Sequence, residues 1–123
     1  MTIIEAINRT DNMRPNVYDQ MTKIEWLSQL DGQVKALYDG YQGAEGSAFQ
    51  GYGPQTPMET VLLIQPPYDG IYLKWLEAQI ERSNGEIERY NEAITLYNTE
   101  FQAFANAYSR SHMAKGAGRR FLF

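Results

Sequence analysis

An all-α fold, a helical bundle interrupted by one long loop, is predicted by three features of the sequence. Apolar residues recur at steps of three and four from Met21 to Tyr38 and again from Leu73 to Tyr108, the spacing of a helix with one buried face. Glycine and proline concentrate between those two stretches, where regular structure is not expected. Near the N-terminus, Thr2 is followed three residues later by Glu5, a capping-box pattern ahead of an amphipathic turn or two.

That first helix is expected to be short and to end near Arg9. The run TDNMRPN then breaks it, because Pro15 disfavours helical geometry at Arg14. A second helix is expected from Asp19 to about Tyr38, with Met21, Ile24, Leu27 (or Trp26), Leu30, Val34, Leu37 and Tyr38 on its apolar face. Gly32 is tolerated inside it at a cost of about 1 kcal/mol relative to alanine, and Gly40 provides its end. A Gly-rich loop over about residues 39–60 follows, and loops of that length in a small domain serve binding or assembly or are disordered. Tyr41, Phe49 and Tyr52 within it suggest a loop that docks onto something. VLLI at 61–64 reads as a short extended segment, and Pro66 and Pro67 announce the next helix.

The stretch from Tyr68 to about Arg110 contains Asn84-Gly85, a dipeptide that ordinarily marks a turn. Counting by sevens, however, gives Leu73, Ile80, Ile87, Ile94, Phe101 and Tyr108, and the phase does not slip at Gly85. The favoured expectation is one long C-terminal helix of about 40 residues, roughly 60 Å long; a break or kink at Gly85 is the alternative. Asn84, Asn91 and Asn98 are also seven apart and on one helix form a polar stripe beside the apolar seam. Such a stripe can specify register across a helix interface or can be a row of solvated boundary positions.

At 123 residues the chain has room for one modest core. One domain is expected over residues 1–110, followed by a tail over 111–123. No cysteine is present, which removes disulfides, thiolate metal sites and cysteine nucleophiles. The opening MTIIEAINRT lacks a basic region followed by an apolar run, and the longest apolar block, Val61 to Ile64, is far too short for a bilayer, so neither a leader nor a membrane association is expected. The net charge of −4 is unevenly spread. Residues 1–100 carry all 15 acidic side chains and seven basic ones, net −8, whereas residues 101–123 carry Arg110, Lys115, Arg119 and Arg120 and no acid. The pattern is a basic tail on an acidic body.

Little in the sequence is suited to catalysis. The single histidine, His112, has no cysteine or acidic neighbour in sequence with which to build a triad or a metal site. The glycines of 40–53 match no phosphate-binding loop. The pairs Glu77/Glu81 and Glu88/Glu92 read as a solvated acidic helix face. No enzyme activity, cofactor or metal is therefore expected. The tail YSRSHMAKGAGRRFLF mixes basic residues with Gly and Ala and then gives Phe121, Leu122 and Phe123, a composition that suits docking on a phosphate backbone or in a partner pocket, or simple fraying. Because a rod of that length cannot bury its seam against a 20-residue helix, part of the seam is expected to meet another subunit.

TKIEWLSQLDGQV, PPYDGIYLKWLEAQIE, YNEAITLYNTEFQAFANAYSRSHM and the opening MTIIEAI resemble a family of small proteins encoded among the head-morphogenesis genes of bacteriophages and prophages of low-GC Gram-positive bacteria. The likeness covers most of the chain outside residues 40–58. It implies a head-tail connector (adaptor, or head-completion) protein: a mostly helical virion subunit, assembled in the host cytoplasm, forming a homo-oligomeric ring on the portal protein to join capsid and tail and retain packaged DNA. On that model Ile80, Ile87, Ile94 and Phe101 with Asn84, Asn91 and Asn98 belong to the subunit core and interfaces. The Arg110 to Phe123 tail would dock on the portal or a neighbour, and DNA would pass an acidic channel without sequence-specific contacts. The alternative is a small phage-encoded nucleic-acid-binding or regulatory protein using its basic tail, against which stand the net charge and a pI near 4.9.

Overall fold

The computed structural model describes residues 1–42 and 49–120, without the side chains of residue 42 and residues 113–120. Among the described residues four helices are formed: α1 (Ile3–Met13), α2 (Gln20–Gln42), α3 (Ile71–Asn84) and α4 (Ile87–Arg120). Among the described residues the other regular feature is an isolated antiparallel bridge between Thr2 and Val61. The all-α expectation is met.

The capping box forms at the start of α1, where Thr2 N donates to Glu5 Oε1 (2.9 Å) and Glu5 N donates to Thr2 Oγ1 (3.2 Å). The helix runs past Arg9 to Met13 because nothing before Pro15 forbids helical geometry. Its buried stripe is Ile3, Ala6, Ile7 and Thr10. Helix α2 begins beside Asp19, whose Oδ1 accepts from Thr22 N (2.8 Å), and it buries Ile24, Leu27, Leu30 and Val34. It also outruns the glycine expected to end it, reaching Gln42.

The segment that follows is tied to the start of α1. Ile3 N and Ile4 N donate to Thr60 O and Met58 O, and Leu62 N donates to Met1 O. Val61 is exposed while Leu62 and Ile64 are buried in the core; of the expected extended segment, Val61 forms the bridge to Thr2 and the chain bends at Leu63 and Ile64. A cis Pro66–Pro67 bond and a turn over Tyr68 to Gly70 lead into α3.

The favoured long rod does not form. Gly85 has a left-handed backbone (φ 77°) and closes α3, its N–H directed to Arg82 O while Glu86 N–H donates to Glu81 O. That 5→2 and 6→1 pair is a Schellman motif, which lacks a Cβ penalty only at glycine. The chain then folds back. Trp75 meets Tyr97 (ring centroids 5.0 Å) and Tyr68 meets Phe104 (5.7 Å), so residues at rising positions before the turn pair with falling positions after it. Helices α3 and α4 are an antiparallel hairpin.

The seam expected to meet another subunit is therefore largely consumed within the molecule. Leu76 and Ile80 of α3 lie against the face of α4 that carries Ala93, Tyr97 and Phe104, with Ile94 and Phe101 partly buried beside them. Ile80 is 0% exposed and Ile87 is 72% exposed, although both fall on the same count of seven. Ile87 sits at the turn, opposite the end of α3, where no helix is present to cover it. The expected asparagine stripe is likewise divided, with Asn84 on α3 and Asn91 and Asn98 on α4, all exposed.

Candidate assembly surface and the polar node behind it

Because α3 has 14 residues and α4 has 34, the hairpin is uneven. Beyond about Phe101, α4 extends past the start of α3 and packs instead on the end of α2 and the segment entering α3. The contacts there are aromatic. Tyr38 of α2 stacks on Tyr108 (4.6 Å) and lies edge-on to Phe104 (6.4 Å), Tyr41 is edge-on to Tyr108 (5.6 Å), and His112 stacks on Tyr108 (3.7 Å). Tyr41 OH also donates to Ser109 Oγ at 2.8 Å. A groove of about 270 Å³ opens on this patch, with Tyr38, Pro67, Tyr68, Phe104, Ala107 and Tyr108 among its walls and Ser111 and His112 at its edge.

The segment leading into the groove wall at residues 65–68 is held by a buried carboxylate. Asp31 is 0% exposed. Its Oδ1 accepts from Tyr72 OH (2.5 Å), and its Oδ2 accepts from Tyr52 OH (2.5 Å) and Leu63 N (3.1 Å). Tyr72 OH in turn accepts from Ile64 N (2.7 Å). One aspartate thus joins α2, the loop before Gly53, the extended segment and α3. Burial raises its carboxyl above the ordinary value, opposed by the bonds from Tyr52, Tyr72 and Leu63, and burial beside Asp31 also raises both phenols. Burial pushes Tyr38 and Tyr97 up to about 12.

Two ion pairs fix the opposite end of the bundle. Arg14 donates through Nε and a terminal nitrogen to the two oxygens of Glu81 (2.8 and 2.9 Å), and these bonds hold the Glu81 carboxyl below its usual range. Glu81 is therefore a buried partner of α1; the solvated-face reading fails for it, while Glu88 and Glu92 are exposed. The buried Lys23 donates to Asp11 Oδ1 (2.7 Å), joining α2 to α1.

The loop aromatics dock on the chain's own body. Tyr52 bonds Asp31, Phe49 is edge-on to Tyr52 (5.3 Å) and lies over Gly32, and Tyr41 joins the α4 patch. Asn84 accepts at Oδ1 from Tyr18 OH (2.7 Å). Arg110 is exposed, and the backbone expected to be a tail from Ser111 is helical through Arg120. The side chains of Lys115, Arg119 and Arg120, and all of Phe121, Leu122 and Phe123, lie outside the described residues. On the outer side of α4, Asn91, Glu92, Thr95 and Leu96 line a second, shallow groove.

Asp31, Arg14 and Lys23 were not singled out from the sequence. For Asp31 a signal exists: it lies four residues after Leu27 and three before Val34, an acid on the apolar face of a helix. Among the described residues no group of three His, Cys, Asp or Glu is placed to hold a metal ion, and no helix is long and apolar enough to cross a membrane. No family model, no curated protein and no solved structure matches the chain.

Proposed function

We propose that the chain is a structural, non-catalytic virion protein of a bacteriophage: a head-tail connector subunit that assembles as a homo-oligomeric ring on the portal, joins capsid to tail and retains packaged DNA. The reading rests on the resemblance drawn from the sequence of MTIIEAI, TKIEWLSQLDGQV, PPYDGIYLKWLEAQIE and YNEAITLYNTEFQAFANAYSRSHM. Those stretches supply the start of α1, the middle of α2 and most of the hairpin. The division of the molecule into a core closed at one end and an aromatic groove beside the overhanging end of α4 supports it, because ring subunits need surfaces apart from their own core. The acidic body suits a channel through which DNA slides, since a basic lining would hold it.

Incubating the purified chain with the portal protein of the phage or prophage that encodes it, followed by electron microscopy, is expected to give portals with an added ring of density and a fixed number of copies per portal. Portals that stay bare at saturating subunit would contradict the reading. Tight duplex-DNA binding with a steep salt dependence would favour the regulatory alternative.

A further inference from the structure

We infer that the aromatic groove between α2 and α4 receives the Phe121, Leu122 and Phe123 segment of a second copy of this chain, so that subunits associate head to tail. The inference rests on the self-assembly part of the proposed function and assigns a site to it. The groove is apolar and aromatic, with Tyr38, Pro67, Tyr68, Phe104, Ala107 and Tyr108 around a space of about 270 Å³. That size suits one or two large side chains, and aromatic anchors in such pockets dominate the affinity of interfaces.

Reach decides between a neighbour's segment and the chain's own. Helix α4 continues to Arg120 from Phe104 and Tyr108 on the groove floor and from His112 at its edge, distances of roughly 24, 18 and 12 Å at 1.5 Å per residue. Three extended residues span about 10 Å, so Phe121 to Phe123 turned straight back fall well short of their own floor. A second copy meets no such limit. Charge acts in the same direction: residues 1–100, which supply Tyr38 and the 65–68 wall of the groove, carry net −8, and residues 101–123 carry four basic side chains and no acid. A groove-to-tail contact is heterologous, and contacts of that kind close into rings when the rotation between copies permits.

The test uses two full-length variants. One carries Phe121→Ser and Phe123→Ser, leaving the groove intact; the other carries Ala107→Arg, which fills the groove and leaves the tail intact. Ser111→Arg, at an exposed position on the groove edge, serves in place of the second if its thermal unfolding differs from the parent. Sedimentation equilibrium is expected to show self-association weakened at least about tenfold in each variant alone. An equimolar mixture is expected to recover association as a heterodimer that grows no further, because one usable tail and one usable groove remain. Variants that associate like the parent, a mixture that stays monomeric, or a parent that does not associate at any attainable concentration would each overturn the inference. No portal is present, so this result is independent of the connector assignment.

Discussion

Replacing Asp31 with alanine is expected to lower the unfolding free energy by about 4 kcal/mol, because two phenolic hydroxyls and one backbone N–H lose a common acceptor in a dry site. Domains of this kind hold about 5–15 kcal/mol in total, so the substitution should move the urea midpoint a long way at nearly constant slope. Tyr52→Phe, which removes one donor and leaves the carboxylate two others, is expected to cost about 1–2 kcal/mol. The pH dependence follows from the direction of the shift. Burial raises the folded carboxyl above 3.8, so the folded chain binds that proton more tightly than the unfolded chain does. The resulting stability is fully present below pH 3.8 and is lost as pH rises through the folded value. Relative to Asp31→Asn, the parent should therefore become less stable over that window; the Arg14–Glu81 pair, present in both, cancels. A difference that grows with pH would mean the carboxylate is stabilised in the fold.

Replacing Phe104 with alanine is the second large effect, expected at about 3–4 kcal/mol. The ring is buried among Tyr38, Tyr68, Phe101 and Tyr108, at centroid distances of 5.7 to 6.4 Å. Its loss should also be local. Near the hairpin turn α4 is covered by α3, whereas past Phe101 it is held by this patch. Hydrogen exchange is expected to accelerate most from about residue 102 to 112 while residues 90–97 keep most of their protection. Uniform acceleration along α4 would show that the two halves of the helix open as one unit.

Much of the fold was legible because its signals are local. The capping box at Thr2 and Glu5 and the apolar face of α2 each report a preference set within a few residues. At Gly85 the burial pattern carries no information about continuity. Apolar spacing reports which face of a helix is covered, not what covers it. Two helices folded against each other can therefore keep the same count of seven across their turn. The Asn-Gly pair was the correct local signal, and Ile87, on the count but exposed, is the residue that separates the two readings.

The polar node was not legible for a different reason. Asp31 meets Tyr52, Leu63 and Tyr72 at separations of 21, 32 and 41 residues, and Arg14 meets Glu81 at 67. Partners that distant leave no spacing to read. The candidate groove is of the same kind, since it exists only once α4 has been folded back along α3 and carried past it onto α2. A continuous rod would have left Tyr68 and Phe104 far apart and the seam open to a neighbour.

The fold-back at Gly85 is thus the claim on which the core and the assembly surface both depend, and a distance between spin labels tests it most directly. The chain has no cysteine, so Lys74→Cys and Arg110→Cys place labels only where intended. With α3 and α4 antiparallel and packed about 10 Å apart, the two sites are expected roughly 20 Å from each other. A distance distribution centred near 54 Å, the value of roughly 1.5 Å per residue along one unbroken helix, would contradict the hairpin and with it the groove.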